Sequence, residues 1–358
     1  MAKKICIIAL ITILFSLGSP WIKPAAASLP NGNRLKDPYA ILRNSLPIDQ
    51  KELRELQNKL EDTSDDIRGG RWSAVSKATS RSQFLVTNKK NQILASVPDE
   101  NKQKATNLIS NLKTELDELG QIANDKNKSS FIKVRRESLK TIDEIESLLI
   151  TNKFPYQIPA EYDNLPRLLG RANVEIKTTK GNMNAIIDGY NAPLTGGAFI
   201  DLTLKGFYDG LSINRAEEFF ILQTGDPEGE VIGYIDPDTN ELRRVPLEIR
   251  TPNFEDTLYG ETFEEVGLYT ETPVLPFATL GTLGWAHSDK DLNDGSSQFF
   301  FFLYEAELNP AGRNLIDGRN AAFGYVIEGS EILNKLGVDD KIISIKVLNG
   351  AENLKLKA

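Results

Sequence analysis

The stretch Leu211-Ser-Ile-Asn-Arg215-Ala-Glu-Glu-Phe-Phe220-Ile221-Leu-Gln223-Thr-Gly-Asp226 carries the most information in the chain. It places one arginine five residues before a phenylalanine, then an aliphatic residue, then a glutamine at the eighth place. Short alternating segments of this kind read as strands. Such segments recur at 173–179, 183–188, 211–216, 219–223, 280–285, 298–304, 321–326 and 341–348. Lys180-Gly181 joins the first two as a hairpin. Pro193 to Tyr208 reads as a helix opened by proline and ended among glycines, and a second helix is expected near Ser330–Leu336. Many short strands with two helices predict a closed β-barrel capped by helices.

Upstream the periodicity changes. Leu53, Leu56 and Leu60 recur at helical spacing, as do Leu108, Leu112, Leu116 and Leu119, and then Leu139, Ile142, Ile145 and Leu149. Trp72 to Leu94 forms a longer, less regular segment. Breaks at Gly69-Gly70, Pro98 and Asp125-Lys126-Asn127 delimit four helices, read as an all-α up-and-down bundle over 48–154. A coiled coil is the alternative, and no stripe lasts long enough to favour it. Residues 155–171 are rich in proline and read as a linker between the bundle and a second domain over 172–350; 351–358 is a tail.

The first 27 residues read as a signal peptide. Lys3 and Lys4 precede an apolar run from Ile5 to Leu17, with Ala25-Ala26-Ala27 after it. The run is too short to span a bilayer comfortably, so no stable span is expected after cleavage. Residues 28–47 then form an N-terminal segment. The only cysteine, Cys6, falls in the signal, which leaves the mature chain without disulfides, thiol nucleophiles or cysteine-ligated zinc. Export without disulfides fits a periplasm or a thylakoid lumen.

Charge separates the halves. Residues 28–155 hold 22 Lys+Arg against 18 Asp+Glu, and residues 156–358 hold 17 against 32. The opposite signs favour intramolecular contact between bundle and barrel, and the acidic half excludes nucleic acid as a partner. The basic run Lys128, Lys133, Arg135, Arg136 and Lys140 reads by default as a solvated helix face. Asp236-Pro-Asp-Thr-Asn240 begins like a calcium loop, but Glu241 stands where glycine is required, so a turn with solvated acids is the better reading.

Two further pieces follow the first motif in order: Gly295-Ser-Ser-Gln-Phe-Phe300, and Ile316-Asp-Gly-Arg-Asn-Ala-Ala-Phe-Gly324. Together the three resemble the cyclophilin family, whose stretches read F-H-R-x-x-x-x-F-M-x-Q-G-G-D, N-G-S-Q-F-F and L-D-G-x-H-x-x-F-G. Gly281–Ala286 resembles the family's G-x-L-S-M-A strand. Phe207-Tyr-Asp-Gly, Gln223-Thr-Gly-Asp-Pro-Glu-Gly and Val245-Pro-Leu-Glu-Ile are similar to the large two-domain cyclophilins of cyanobacteria and chloroplast thylakoid lumens. The resemblance implies a prolyl isomerase acting on proline-containing polypeptides, with photosystem II proteins or assembly factors as partners.

It also implies the roles. Arg215 is the catalytic cation. Phe220, Ile221, Phe300 and Ile316 line the proline slot, Gln223 bonds the substrate backbone, and Ala286 with His287 pairs with the peptide. Each apolar residue taken alone would be ordinary core. The chemistry needs neither cofactor nor metal, because isomerisation breaks no covalent bond. The chain departs from the family pattern at Asn214 (His), Leu315 (Trp), Asn320 (His) and His287 (Asn), and Glu217 and Glu218 flank the arginine. Those departures make low activity, or a binding module without useful turnover, the alternative reading.

Overall fold

The computed structural model describes residues 37–150, 154–230, 232–237, 239–254, 256–304 and 314–356. The signal-peptide reading, Cys6 included, lies outside these residues. Among them, no helix is long and apolar enough to cross a membrane.

Helix α1 spans Pro38–Ser45, with Asp37 as its N-cap and proline in its first turn. Four long helices follow: α2 (Lys51–Arg68), α3 (Trp72–Asn88), α5 (Lys102–Asn124) and α6 (Lys128–Ser147), with the short α4 (Lys90–Ala95) after a break at Lys89. The predicted stripes face one shared core, where Leu53, Leu56, Leu60, Leu112, Leu116, Leu119 and Ile142 are sealed from solvent. One residue of the basic run is not solvated as expected. Arg135 reaches back to α2, donating to Ser64 Oγ (2.5 Å) and Thr63 Oγ1 (3.2 Å).

The second domain is built on an eight-stranded antiparallel sheet. Its strands are β2 (Arg171–Thr178), β3 (Gly181–Asp188), β4 (Arg215–Glu217), β5 (Ile221–Thr224), β8 (Thr282–Trp285), β9 (Phe299–Phe302), β10 (Ala322–Glu328) and β11 (Ile342–Asn349), in the order β11-β2-β3-β10-β8-β9-β5-β4. Two-stranded pairs complete it: β1 (Arg167–Leu168) with β12 (Leu354–Lys355), and β6 (Glu248–Ile249) with β7 (Leu258–Tyr259). The expected closed barrel is corrected to a curled, open half-barrel. Edge strands β11 and β4 do not pair; near the seam, Ser212 forms a single bridge to Lys341. Strand β4 has only three residues, too few to build a ladder along the eight residues of β11.

Helix α7 (Pro193–Leu204) is mostly apolar and almost wholly buried, its one charge, Asp201, being paired with Arg243 at 2.6 Å. Phe199 on it meets Phe299 at 5.1 Å and Phe323 at 5.2 Å. The second expected helix is a 3-10 turn over Ser330–Lys335, bracketed by Gly329 and Gly337. Only seven residues lie between the two glycines, and so short a segment gains little from α-helical propagation.

Helix α1 was not foreseen as a part of this second core. Its Ile41 and Leu42, 1% and 2% exposed, belong to the core of the sheet domain and not to that of the helices. A polar node holds it there. Arg171 donates to the Leu42 carbonyl and to Ser45 Oγ (3.0 Å), and pairs with the buried Asp188 carboxylate at 2.8 Å. Asn191 Nδ2 donates to the Ser45 carbonyl at 2.9 Å. From the other side, Arg54 on α2 donates to the carbonyls of Arg43 (2.8 Å) and Leu46 (2.7 Å). At the far end of the segment read as a linker, Leu165 and Leu168 are buried in the same core, and β1 pairs with β12 of the predicted tail.

Candidate functional site

Strand register assembles the site. Arg215 pairs with Gln223, Gln223 with Phe300, and Phe300 with Gly284, so the four stand in one row across β4, β5, β9 and β8. Directly paired residues point to the same face of a sheet, and the next row on that face lies two residues on. That row holds Glu217, Ile221, Phe302 and Thr282. The intervening row, with Leu222, Phe301 and Leu283, points the other way, as does Phe299, which touches α7. Arg215, Gln223 and Phe300 therefore share the face turned away from the helix.

Phe300 forms the floor. A side-chain carbon at Gly284 would meet its ring at 2.2 Å, so only glycine lets the ring lie flat against β8. Phe277 stacks on it at 5.8 Å and 12° and is itself fully buried. Phe220 leans edge-on against Phe302 at 6.3 Å and keeps 36% of its surface exposed. Ile221 and Phe300 are only 4% and 5% exposed. Of the predicted slot residues, Phe220 is the most exposed.

Polar groups sit along one side. Gln298 Oε1 accepts from Gln223 Nε2 at 2.6 Å and from Asn214 Nδ2 at 3.3 Å. Arg215 is half exposed and ion-paired with Glu217, Nε to Oε1 at 2.7 Å. The flanking carboxylate thus engages the guanidinium.

The remaining predicted residues lie farther along. Ala286 spends its amide N–H on the Gln298 carbonyl (3.1 Å), so that donor is not free to pair with a peptide. His287 sets Nδ1 at 2.9 Å from the Ser288 carbonyl and Nε2 at 3.0 Å from that of Arg319. The Arg319 and Asn320 amides in turn bond the Ile316 carbonyl (3.1 and 3.2 Å), which ties His287 to the loop bearing Ile316. Leu315 points out and is 73% exposed. Asn320 lines a cavity of about 10 Å³, room for a single water, together with Asn191, Glu248 and Arg250. Glu248 is buried there and accepts from the amides of Leu194 (3.1 Å) and Thr195 (3.0 Å) at the N-terminus of α7. Burial pushes its carboxyl up to about 7 despite those bonds.

Three contributors escaped the sequence reading. Gln298 could have been found, because it lies two residues before Phe300 in a quoted motif and so shares its face. Phe277 and Gly284 could not, since their role depends on how a ring packs.

Comparison with known proteins adds to this geometry. A family profile described as "Cyclophilin type peptidyl-prolyl cis-trans isomerase/CLD" matches residues 173–347. Another, described as "Peptidyl-prolyl cis-trans isomerase CYP38-like, PsbQ-like domain", matches 37–150. A Synechocystis protein named as a thylakoid lumen peptidyl-prolyl cis-trans isomerase, sll0408, is 45% identical over 91% of this chain and 86% of its own. The chloroplastic isomerase CYP38 of Arabidopsis thaliana is 39% identical over 92% of this chain and 78% of its own. The chloroplastic CYP37 of the same plant is 30% identical over 96% and 76%.

Proposed function

This chain belongs to the cyclophilin-type peptidyl-prolyl cis-trans isomerases, and from that membership we propose that it speeds X-Pro rotation in polypeptides of a thylakoid lumen, after export. Rotation about a peptide bond faces about 18–20 kcal/mol, because the nitrogen lone pair is delocalised into the carbonyl. Uncatalysed exchange takes tens to hundreds of seconds. A site speeds it by fitting the twisted amide better than the planar one. In the twisted state the proline nitrogen regains its lone pair, and Arg215 is the proposed donor to it. The proline ring rests on Phe300 between Phe220, Ile221 and Ile316. Gln223, steadied by Gln298, holds the substrate backbone, with Ala286 and His287 at the end of the groove.

The row Arg215–Gln223–Phe300 carries this reading: one cation, one amide and one aromatic floor on a single face. A protease-coupled assay on a proline peptide tests it. Rate enhancement that Arg215→Ala removes supports the assignment, and equal rates for the two proteins refute it.

The up-and-down bundle is supported by four consecutive long helices around one core, and photosystem II assembly or upkeep is the proposed setting. A second reading is favoured by the Arg215–Glu217 ion pair together with Asn214, Leu315 and Asn320. On it, the groove holds a proline segment with little turnover while the helices recruit a partner. Peptide binding that persists where turnover is undetectable would single it out.

A further inference from the structure

Strands β4 and β5 are joined by the turn Glu217-Glu218-Phe219-Phe220, closed by the Phe220 amide on the Glu217 carbonyl at 3.0 Å. Phe219 occupies the third position with φ at 60°. A turn with positive φ at that position calls for glycine, and for a bulky residue it is a true outlier. The ring is 53% exposed, and among the described residues it stacks on no other aromatic ring. Its neighbour Phe220, by contrast, packs on Phe302. A strained backbone that presents an apolar ring to solvent at the rim of a binding groove points to a ligand contact.

Register says which part of the ligand. On this face the strand rows run from Ala286 and Gln298, past Phe300, to Phe302, over which Phe220 packs, and then to the hairpin tip. Successive rows on one face lie about 7 Å apart, and an extended peptide advances about 3.3 Å per residue. A peptide with its proline on Phe300 therefore brings the second or third residue toward the tip within reach of Phe219.

We propose that Phe219 is a specificity-determining residue, which selects substrates bearing an apolar or aromatic side chain two or three positions from the proline. This rests on the isomerase groove described above. It makes the strained turn a trade of fold stability for selectivity, and that trade is directly measurable.

The test uses the full mature chain and Phe219→Gly, with peptide-observed NMR reading both affinity and exchange rate. One peptide set carries a single Phe two or three residues before or after the proline, and a matched set carries Gly there. Wild type should prefer one Phe peptide over its Gly partner by about three- to tenfold in Kd. Phe219→Gly should lose that preference, bind the Gly peptides unchanged, and melt no lower than wild type, since glycine suits positive φ. Phe219→Leu should keep part of the preference. A preference that survives in Phe219→Gly, or is absent from wild type that still binds proline peptides, overturns the proposal alone. Wild type that neither binds nor turns over any of the peptides overturns both the proposal and the isomerase reading beneath it.

Discussion

Glu217 and Arg215 stand two residues apart on one face of β4, and the carboxylate oxygen Oε1 sits 2.7 Å from the guanidinium Nε. The proposed catalytic cation is thus held by an acid from its own strand. Both side chains are about half exposed, so the pair is weak. A substrate can displace the acid, at a cost.

That cost should be visible in kinetics. Arg215→Ala is expected to lower kcat/KM about a hundredfold, the usual loss when one donor to a transition state is removed. Glu217→Gln should raise it by about two- to fivefold, which corresponds to the worth of an exposed ion pair. A drop in kcat/KM for Glu217→Gln would mean that the acid orients the arginine instead of competing for it.

Gly284 makes room for the Phe300 ring. Gly284→Ala would drive a methyl into the Phe300 ring, displacing it from β8. Overpacking of this kind costs about 1–3 kcal/mol. The expected outcome is a lower melting temperature together with loss of peptide binding, measured on the same sample. Substitution of the exposed Leu315 by Ala should do neither.

The buried carboxyl of Glu248 predicts a pH dependence. Its ordinary value is 4.5 and the fold raises it to about 7. The folded state therefore binds more protons than the unfolded chain between those values. The contribution is fully present below about pH 4.5 and is lost as pH rises through about 7. Over that window stability should fall by on the order of 3 kcal/mol from this group. Glu248→Gln should flatten that part of the profile in denaturant melts at a series of pH values; an unchanged slope would assign it elsewhere.

Leu42 lies in the helical half by sequence and in the core of the sheet domain by structure. Leu42→Ala should cost about 2–5 kcal/mol. The loss should appear in the transition of the sheet domain, followed by near-UV signals of its aromatic cluster, and not in that of α2 to α6. Arg171→Ala should act in the same direction, since it strands the buried Asp188 carboxylate, whose partner it is at 2.8 Å.

Much of this was legible beforehand, for physical reasons. The helical stripes at Leu53, Leu112 and Ile142 were readable because a 3.6-residue period has one solution, a buried face. Arg215, Gln223 and Phe300 were named by the resemblance of their motifs to a family; the strand register, which needs the partners, is what sets the three in one row. Closure of the sheet was not readable. It depends on whether two edges meet, and a three-residue β4 cannot decide that from its own pattern. Helix α1 was hidden for a related reason. Ile41 and Leu42 advertise burial without saying against what, and their partners lie more than a hundred residues downstream. Arg135 misled because the charge of a side chain does not say which way its stem points.

The anchoring of α1 also has a consequence for synthesis. Ribosomes deliver the amino end first, yet Ile41 and Leu42 find their neighbours only when strands such as β10, near the carboxyl end, have emerged. The nascent polypeptide must keep that greasy turn out of trouble through most of its own translation. Cutting the gene at the apparent boundary between halves would separate a plug from its socket.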